Sequence, residues 1–351
     1  MTSKKYIVIT ASVLYLFIII NLALWHGTVK TIFQQRDLRR MGSIATTNPI
    51  TEDRHYLKHH AEFADCIASG IFESFDVLTI GDSFTNGKDG GSYPDYLVNQ
   101  YGLKVLNARI GISGLYTLDK IGWLEKISPK VVILESVERE VQGYLGMKHI
   151  STESTAKQVK ALMTRKAVNL EPNSTKFMPA ILAQAVYKHF YNKIYHMLKP
   201  EQLNSDVYIT KLDKPLFSNP GFENTLLHLS WDFWYLNSAL NAEMVNQNLN
   251  TAARFLKAKG IKLVFFAAAD KYDLYYPYIT DKKDRPENPF FQKMREVQGK
   301  EYIYIDTITP LRQALERGEQ DVYWLGDTHW SHKGIKIFCD ELVKYILPEL
   351  H

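Results

Sequence analysis

Hydrophobic positions are distributed very unevenly along this chain. From Tyr6 to Trp25 there is no charged residue. At 1.5 Å per residue, such a run makes a helix of roughly 30 Å, the hydrocarbon thickness of a bilayer. Tyr6 and Trp25 stand where interfacial aromatics belong. No small-x-small cleavage signature follows, so the run predicts an uncleaved transmembrane signal anchor over 6–25, behind a short cytoplasmic tail of residues 1–5. Lys4 and Lys5 precede the run, and Lys30, Arg36, Arg39 and Arg40 follow it, so the flanking charges alone do not set its orientation. Residues 26–70 are polar and bear histidines, and they read as a linker.

Beyond the linker the pattern changes to short apolar runs separated by helical stretches. Five runs predict strands: Phe75–Ile80, Lys104–Ala108, Lys130–Glu135, Lys262–Ala267 and Tyr302–Asp306. Their mixed period is that of strands covered on both faces. Asn237–Lys259 predicts an amphipathic helix stopped by Gly260. Alternating strands and helices imply an α/β domain built on a parallel, helix-covered sheet. That domain is expected to span 71–351. Roughly 125 residues separate the third and fourth strands, far more than one crossover needs, which marks an insert at about 141–236. Within it, Met178–Lys199 predicts a helix with Tyr187, Phe190, Tyr191, Ile194, Tyr195 and Leu198 on one side. Its ordinary role is packing on the domain; the other is a platform for a substrate or partner. The Trp231, Trp234 and Tyr235 cluster has the same two readings, core or sugar stacking.

Composition narrows the class. The chain has 351 residues and 46% apolar content, enough for a full core. The net charge is only +4 and no Lys/Arg-rich block is present, which sets nucleic-acid binding aside. Cys66 and Cys339 are too few for a disulfide framework or a metal cluster.

Two motifs carry candidate chemistry. Gly81-Asp82-Ser83-Phe84-Thr85 follows the first domain strand, where a turn exposes a serine to backbone N–H groups and a helix start. Gly326-Asp327-Thr328-His329-Trp330-Ser331 follows the last strand. A serine hydroxyl is a poor nucleophile at neutral pH and needs a base. His329 supplies one, and Asp327 can fix the tautomer of the imidazole. Ser83, His329 and Asp327 are the candidate catalytic residues. Alone, each motif is equally a turn serine or an Asx-turn loop.

Ile80-Gly81-Asp82-Ser83-Phe84 resembles the first block of the SGNH (GDSL-type) hydrolase superfamily. Asn107-Ala108-Arg109-Ile110-Gly111-Ile112-Ser113-Gly114 resembles its second block, and Asp327–Gly334 its last. Asp-x-His-Trp, the Lys271 to Tyr275 spacing after a strand, and the Glu138-Arg139 strand end are similar to the alginate-type exopolysaccharide O-acetyltransferase branch. The resemblance covers roughly 75–145 and 255–345. In that branch the Asp-x-His-Trp element precedes the serine; here it follows. The third-block Gly-x-Asn-Asp is absent, and Glu135, Glu138 and Arg139 stand in that region instead.

The resemblance implies a parallel-sheet, three-layer SGNH-hydrolase-like fold. It implies an oxyanion hole from the backbone of Ser83 and Gly111, with Gly114 the alternate, and substrate contacts from Arg139, Lys271, Tyr275 and Trp330. It further implies a membrane-anchored, extracytoplasmic (periplasmic) O-acetyltransferase acting on a cell-envelope or secreted polysaccharide, with a multi-pass membrane acyltransferase supplying acetyl groups. The alternatives are an anchored carbohydrate acetylesterase and a non-catalytic glycan-binding scaffold. No cofactor or metal is expected: His55 and His59 hold metal-ligand spacing, with His60 alongside, but lack a third ligand and read as a solvated helix face. The sequon at Asn173 and the basic stretch at Lys282 carry no chemistry by themselves.

Overall fold

The structure is a computed structural model, describing residues 3–33, 58–70, 73–86, 92–163, 191–192, 194–203, 206–233, 239–282 and 286–350. Eight strands order the chain: β1 (Ala61–Glu62), β2 (Val77–Ile80), β3 (Val105–Asn107), β4 (Val131–Val137), β5 (Val207–Lys211), β6 (Thr225–Leu229), β7 (Lys262–Ala268) and β8 (Ile303–Ile305). Six of them form one parallel sheet in the order β1-β3-β2-β4-β7-β8, and β5 and β6 pair antiparallel apart from it. All five strands expected from the sequence are present. The fold class is that expected: α/β on a helix-covered parallel sheet.

The sheet is parallel because its strands are apolar on both faces. Every residue of β2 and β4 is buried, a pattern that requires helices above and below. One group of helices comprises Tyr93–Tyr101, Ile308–Glu316 and His332–Leu350. Phe266 of β7 meets this group through Tyr93 and Phe338, at ring distances of 5.4 and 4.4 Å. A second group includes Ser113–Lys120 and Ala242–Lys257, joined by Tyr116 and Phe255 at 4.7 Å. The Ala242–Lys257 helix starts later than hydropathy suggests. Asn241 caps it, its side chain accepting from Met244 N at 3.0 Å, and Gly260 ends the segment at φ +74°.

At the end of the expected 26–70 linker, Ala61 and Glu62 pair with Leu106 and Asn107 as an edge strand of the sheet. The 141–236 insert packs on the rest of the domain where it is described. Leu212 bridges Ile279, Ser218 N donates to Asp321 Oδ1, and Phe217 stacks on Tyr275 at 5.2 Å. Most of the Met178–Lys199 helix, Trp234, Tyr235, His55 and the Asn173 sequon lie outside the described residues; Trp231 is exposed.

The N-terminal helix runs Ser3–Phe33, and Ser3–Ala23 is long and apolar enough to cross a membrane. It is either a signal sequence or a single membrane anchor.

Candidate active site

The C-terminal ends of β2 and β3 carry the first two motifs, where open parallel sheets present their reactive groups. Gly81 leaves β2 so close to β4 that a Cβ would collide with Thr85 Oγ1 and the Glu135 carboxyl. Only glycine fits there. Glu135 Oε2 accepts from Asp82 N and from Thr85 Oγ1, both at 2.8 Å. Burial, followed by the charge of Asp82, pushes the Glu135 carboxyl well above the usual carboxylate range. Asp82 accepts from Val137 N at 2.9 Å and from Phe84 N at 3.3 Å. The turn is therefore clamped from β4 while Ser83, at its tip, is exposed.

The last motif is held from below. Lys271, only 1% exposed, lies under the loop. Its Nζ donates to the carbonyls of Trp324 and Leu325, each at 2.7 Å, and of Asp327 at 3.2 Å. Tyr275 OH accepts from Tyr323 N at 3.2 Å. Ser331 Oγ accepts from Lys333 N at 3.1 Å and so starts the final helix. On the resulting loop, His329 Nδ1 lies 2.6 Å from Asp327 Oδ1, which also accepts the His329 backbone N–H at 3.1 Å. An ionised carboxylate only accepts, so Nδ1 carries the proton and Nε2 is the basic nitrogen.

The two loops meet. Phe84, next to Ser83, sets its ring 4.8 Å from the His329 imidazole and 4.9 Å from Trp330. Trp330 is itself buried, packed 4.8 Å from Phe338. The second motif adds Gly111, which is exposed and has open space around it. Gly114 is less suited to donate to a substrate, because its N–H is committed to Gly111 O at 2.8 Å. A cavity of about 520 Å³ opens beside the Ser83 turn, lined by Gly81, Asp82, Gly111, Ser136, Tyr144 and Lys148 among others. Asn248 braces its wall, donating to the carbonyls of Leu145 and Lys148 at 2.8 Å and accepting from Ile150 N at 2.9 Å.

The residues expected to touch substrate are placed otherwise. Lys271, Tyr275 and Trp330 are enclosed and shape the His329 loop. Arg139 is paired with Asp270 and lies 3.4 Å from Asp232. A family resemblance marks these positions without saying which way a side chain turns, and all four turn inward.

Arg139 belongs to a buried acidic cluster in which ligand oxygens of Glu138, Asp270 and Asp273 lie within 4.8 Å of one another. Asn288 Nδ2 bridges Glu138 (2.6 Å) and Asp273 (3.1 Å), and Asp270 N donates to Glu138 at 2.8 Å. Burial lifts Asp273 to about 7, and burial followed by the Asp273 charge holds Glu138 well above the usual carboxylate range.

A second charged chain was not foreseen. His60 Nδ1 meets Asp95 at 2.7 Å, its Nε2 lies 3.4 Å from Glu62, and Glu62 holds Arg109 at 2.6 Å. His60 is thus buried rather than on a solvated helix face. Burial alone would lower its pKa, but the bonds to Asp95 and Glu62 overcome this and raise it to about 9. Burial likewise opposes ionisation of Glu62, but the bonds to His60 and Arg109 bring it down to about 2. The stability His60 contributes is therefore complete below about pH 6.5 and is lost as pH rises through about 9. That of Glu62 is complete above about 4.5 and is lost as pH falls through about 2. Replacing His60 with Gln is expected to destabilise by up to about 3 kcal/mol near pH 6, with the deficit closing toward pH 10. Melting curves across pH test this; a deficit that stays constant to pH 10 would refute it.

Residues 225–349 match the family described as the SGNH hydrolase-like domain of the acetyltransferase AlgX. Over that stretch the chain is similar to an SGNH hydrolase-like domain. The matched stretch contains Asp327, His329 and Lys271 and begins after Ser83. Two solved structures are also similar, both mutants of Axe2 from Geobacillus stearothermophilus. One is a catalytic mutant of this acetylxylan esterase, 11% identical, with 79% of this chain and 95% of that chain covered at a TM-score of 0.37. The other, described as an acetyl-xylooligosaccharide esterase, is 13% identical with the same coverage at a TM-score of 0.35. No curated protein matches the chain significantly.

Proposed function

We propose that this SGNH domain is a membrane-anchored, extracytoplasmic O-acetyltransferase that modifies a cell-envelope or secreted polysaccharide through Ser83, His329 and Asp327. The observation that carries the reading is the Asp327–His329 pair at 2.6 Å, with the imidazole against Phe84, the neighbour of an exposed Ser83. The AlgX family match over 225–349 and the apolar N-terminal helix support the substrate class and the anchor.

In this mechanism His329 Nε2 takes the Ser83 proton as Oγ attacks the acetyl carbonyl. Backbone N–H groups of Ser83 and Gly111 hold the oxyanion, in place of the side-chain amide that the third block would supply. The C–O bond to the donor breaks, and the imidazolium returns its proton to the leaving alcohol. A sugar hydroxyl then attacks the acetyl-serine and gives its proton to His329; the Oγ–acetyl bond breaks, the imidazolium returns the proton to Ser83 Oγ, and the sugar leaves acetylated. Asp327 stabilises the imidazolium in both halves. A multi-pass membrane acyltransferase is the proposed source of acetyl groups. No cofactor enters these steps.

The triad is common to transfer and hydrolysis, which differ in which hydroxyl is positioned and how well water is excluded. The test uses the full chain in detergent with an aryl acetate donor and a panel of defined oligosaccharides, read by mass spectrometry. Acetyl transfer faster than release to water, with both lost in Ser83→Ala, is the expected result. Release without transfer would make the protein an acetylesterase, and glycan binding with no turnover would make it a scaffold.

A further inference from the structure

The nucleophile turn and the oxyanion loop come from different strands, so something must fix their relative position to a fraction of an ångström. Gly111 cannot do this by packing, since nothing lies within reach of a Cβ placed on it. Its N–H direction follows from the backbone just before it. There, Arg109 adopts a left-handed conformation at φ +47°, one that non-glycine residues adopt only when their surroundings impose it.

Those surroundings form a closed circuit. Arg109 N donates to Asn107 Oδ1 at 3.2 Å. Asn107 Nδ2 donates to Asn86 Oδ1 at 2.8 Å. Asn86 closes the Ser83 turn, its N donating to Asp82 O at 3.0 Å and its Nδ2 to Gly81 O at 3.1 Å. The Arg109 guanidinium returns to the same turn, donating to Asn86 O at 3.3 Å. The Nη2 that makes this bond, together with Nε, grips Glu62 in a bidentate fork of 2.6 and 2.9 Å. Glu62 is fixed in turn by β1, where it pairs with Asn107, and by His60.

We propose that Arg109, oriented by Glu62, is a positioning residue that sets the oxyanion-hole N–H of Gly111 against the Ser83 turn. The inference rests on the roles proposed above for Ser83 and Gly111. A bidentate arginine fork fixes direction as well as charge, which lysine cannot reproduce. The competing role is a plain ion pair stapling an edge strand, which would affect stability and leave the chemistry alone. Arg109 also borders the cavity, so direct substrate contact is a second competitor.

The experiment compares hydrolysis of an aryl acetate with that of its thionoacetate by the full-length protein. An oxyanion hole built for oxygen discriminates against the larger, weaker-accepting sulfur, so the oxygen-to-sulfur rate ratio reports on its geometry. In Arg109→Ala, kcat for the acetate is expected to fall by roughly 10- to 100-fold, the ratio by roughly tenfold, and KM to stay within about twofold. Arg109→Lys should recover little. Glu62→Gln, which keeps Arg109 and side-chain size, should show the same pattern at smaller amplitude, and it carries the test should Arg109→Ala fail to fold. An unchanged ratio, whatever happens to kcat or melting temperature, would overturn the proposal, as would a rise in KM alone. Ser83→Ala runs in parallel: if it is inactive while the Arg109 and Glu62 variants behave as wild type, only this inference fails. Activity surviving in Ser83→Ala would bring down the functional reading as well.

Discussion

Replacing His329 with alanine is expected to lower acetyl-ester turnover by about ten-thousand-fold while leaving the fold intact. The side chain is partly exposed at the loop surface, and its ring partner Phe84 is anchored independently against Trp330. Its removal takes away the base in acylation and the acid in leaving-group departure together, which explains the size of the effect. Asp327 gives a graded comparison. Its Oδ1 accepts both from the imidazole and from the His329 backbone N–H. An Asn can turn either its oxygen or its NH2 group to Nδ1, and the NH2 group holds the ring in the wrong tautomer, so Asp327→Asn loses the charge opposite the imidazolium and the fixed tautomer while keeping the geometry. A loss of about 1000- to 10,000-fold is expected, and one at least as large for Asp327→Ala, where the ring is also released. Steady-state hydrolysis of an aryl acetate measures all three variants. Wild-type activity in Asp327→Ala would remove the carboxylate from the mechanism.

The order of these effects follows from a site assembled across the sheet from a short-range pair and a long-range meeting. The short-range pair was legible in the sequence, since Asp327 and His329 are two residues apart on one loop. So were the five strands, because burial on both faces leaves continuous apolar runs such as Val131–Leu134. The meeting of the Ser83 and His329 loops was expected only because the two motifs stand near the ends of one α/β domain. What hydropathy could not reveal is partnership over distance. Glu62 and Arg109 stand 47 positions apart, and nothing local to either names the other. β1 is only two residues long, too short to register as a period. The direction in which a charged residue points was equally invisible. The partners of Arg139, Asp232 and Asp270, arrive from remote parts of the chain.

Lys271 is the sharpest case of that last kind, and its replacement should have the largest effect on stability. Lysine is among the residues least often fully buried, and here it is 1% exposed. Its three carbonyl acceptors all belong to the segment Trp324–Asp327, which turns the chain so that Asp327 and His329 project together. Phe217 lies under the ammonium, with its ring centre 5.2 Å from Nζ, which joins the insert to the same post. Methionine has nearly the volume of lysine but no donors, so Lys271→Met isolates the hydrogen bonds from the packing. The carbonyls of Trp324 and Leu325 would lose this donor, and a destabilisation of about 2–4 kcal/mol is expected. For a chain of this size that corresponds to a fall in melting temperature of roughly 3–5 °C. Turnover should fall too, since a loosened Trp324–Asp327 turn no longer fixes the Asp327–His329 pair, with kcat more affected than KM. Calorimetry and steady-state kinetics on the same preparation measure both. A variant that melts as wild type does would show that the turn holds its shape without the ammonium, and that Lys271 is buried for another reason.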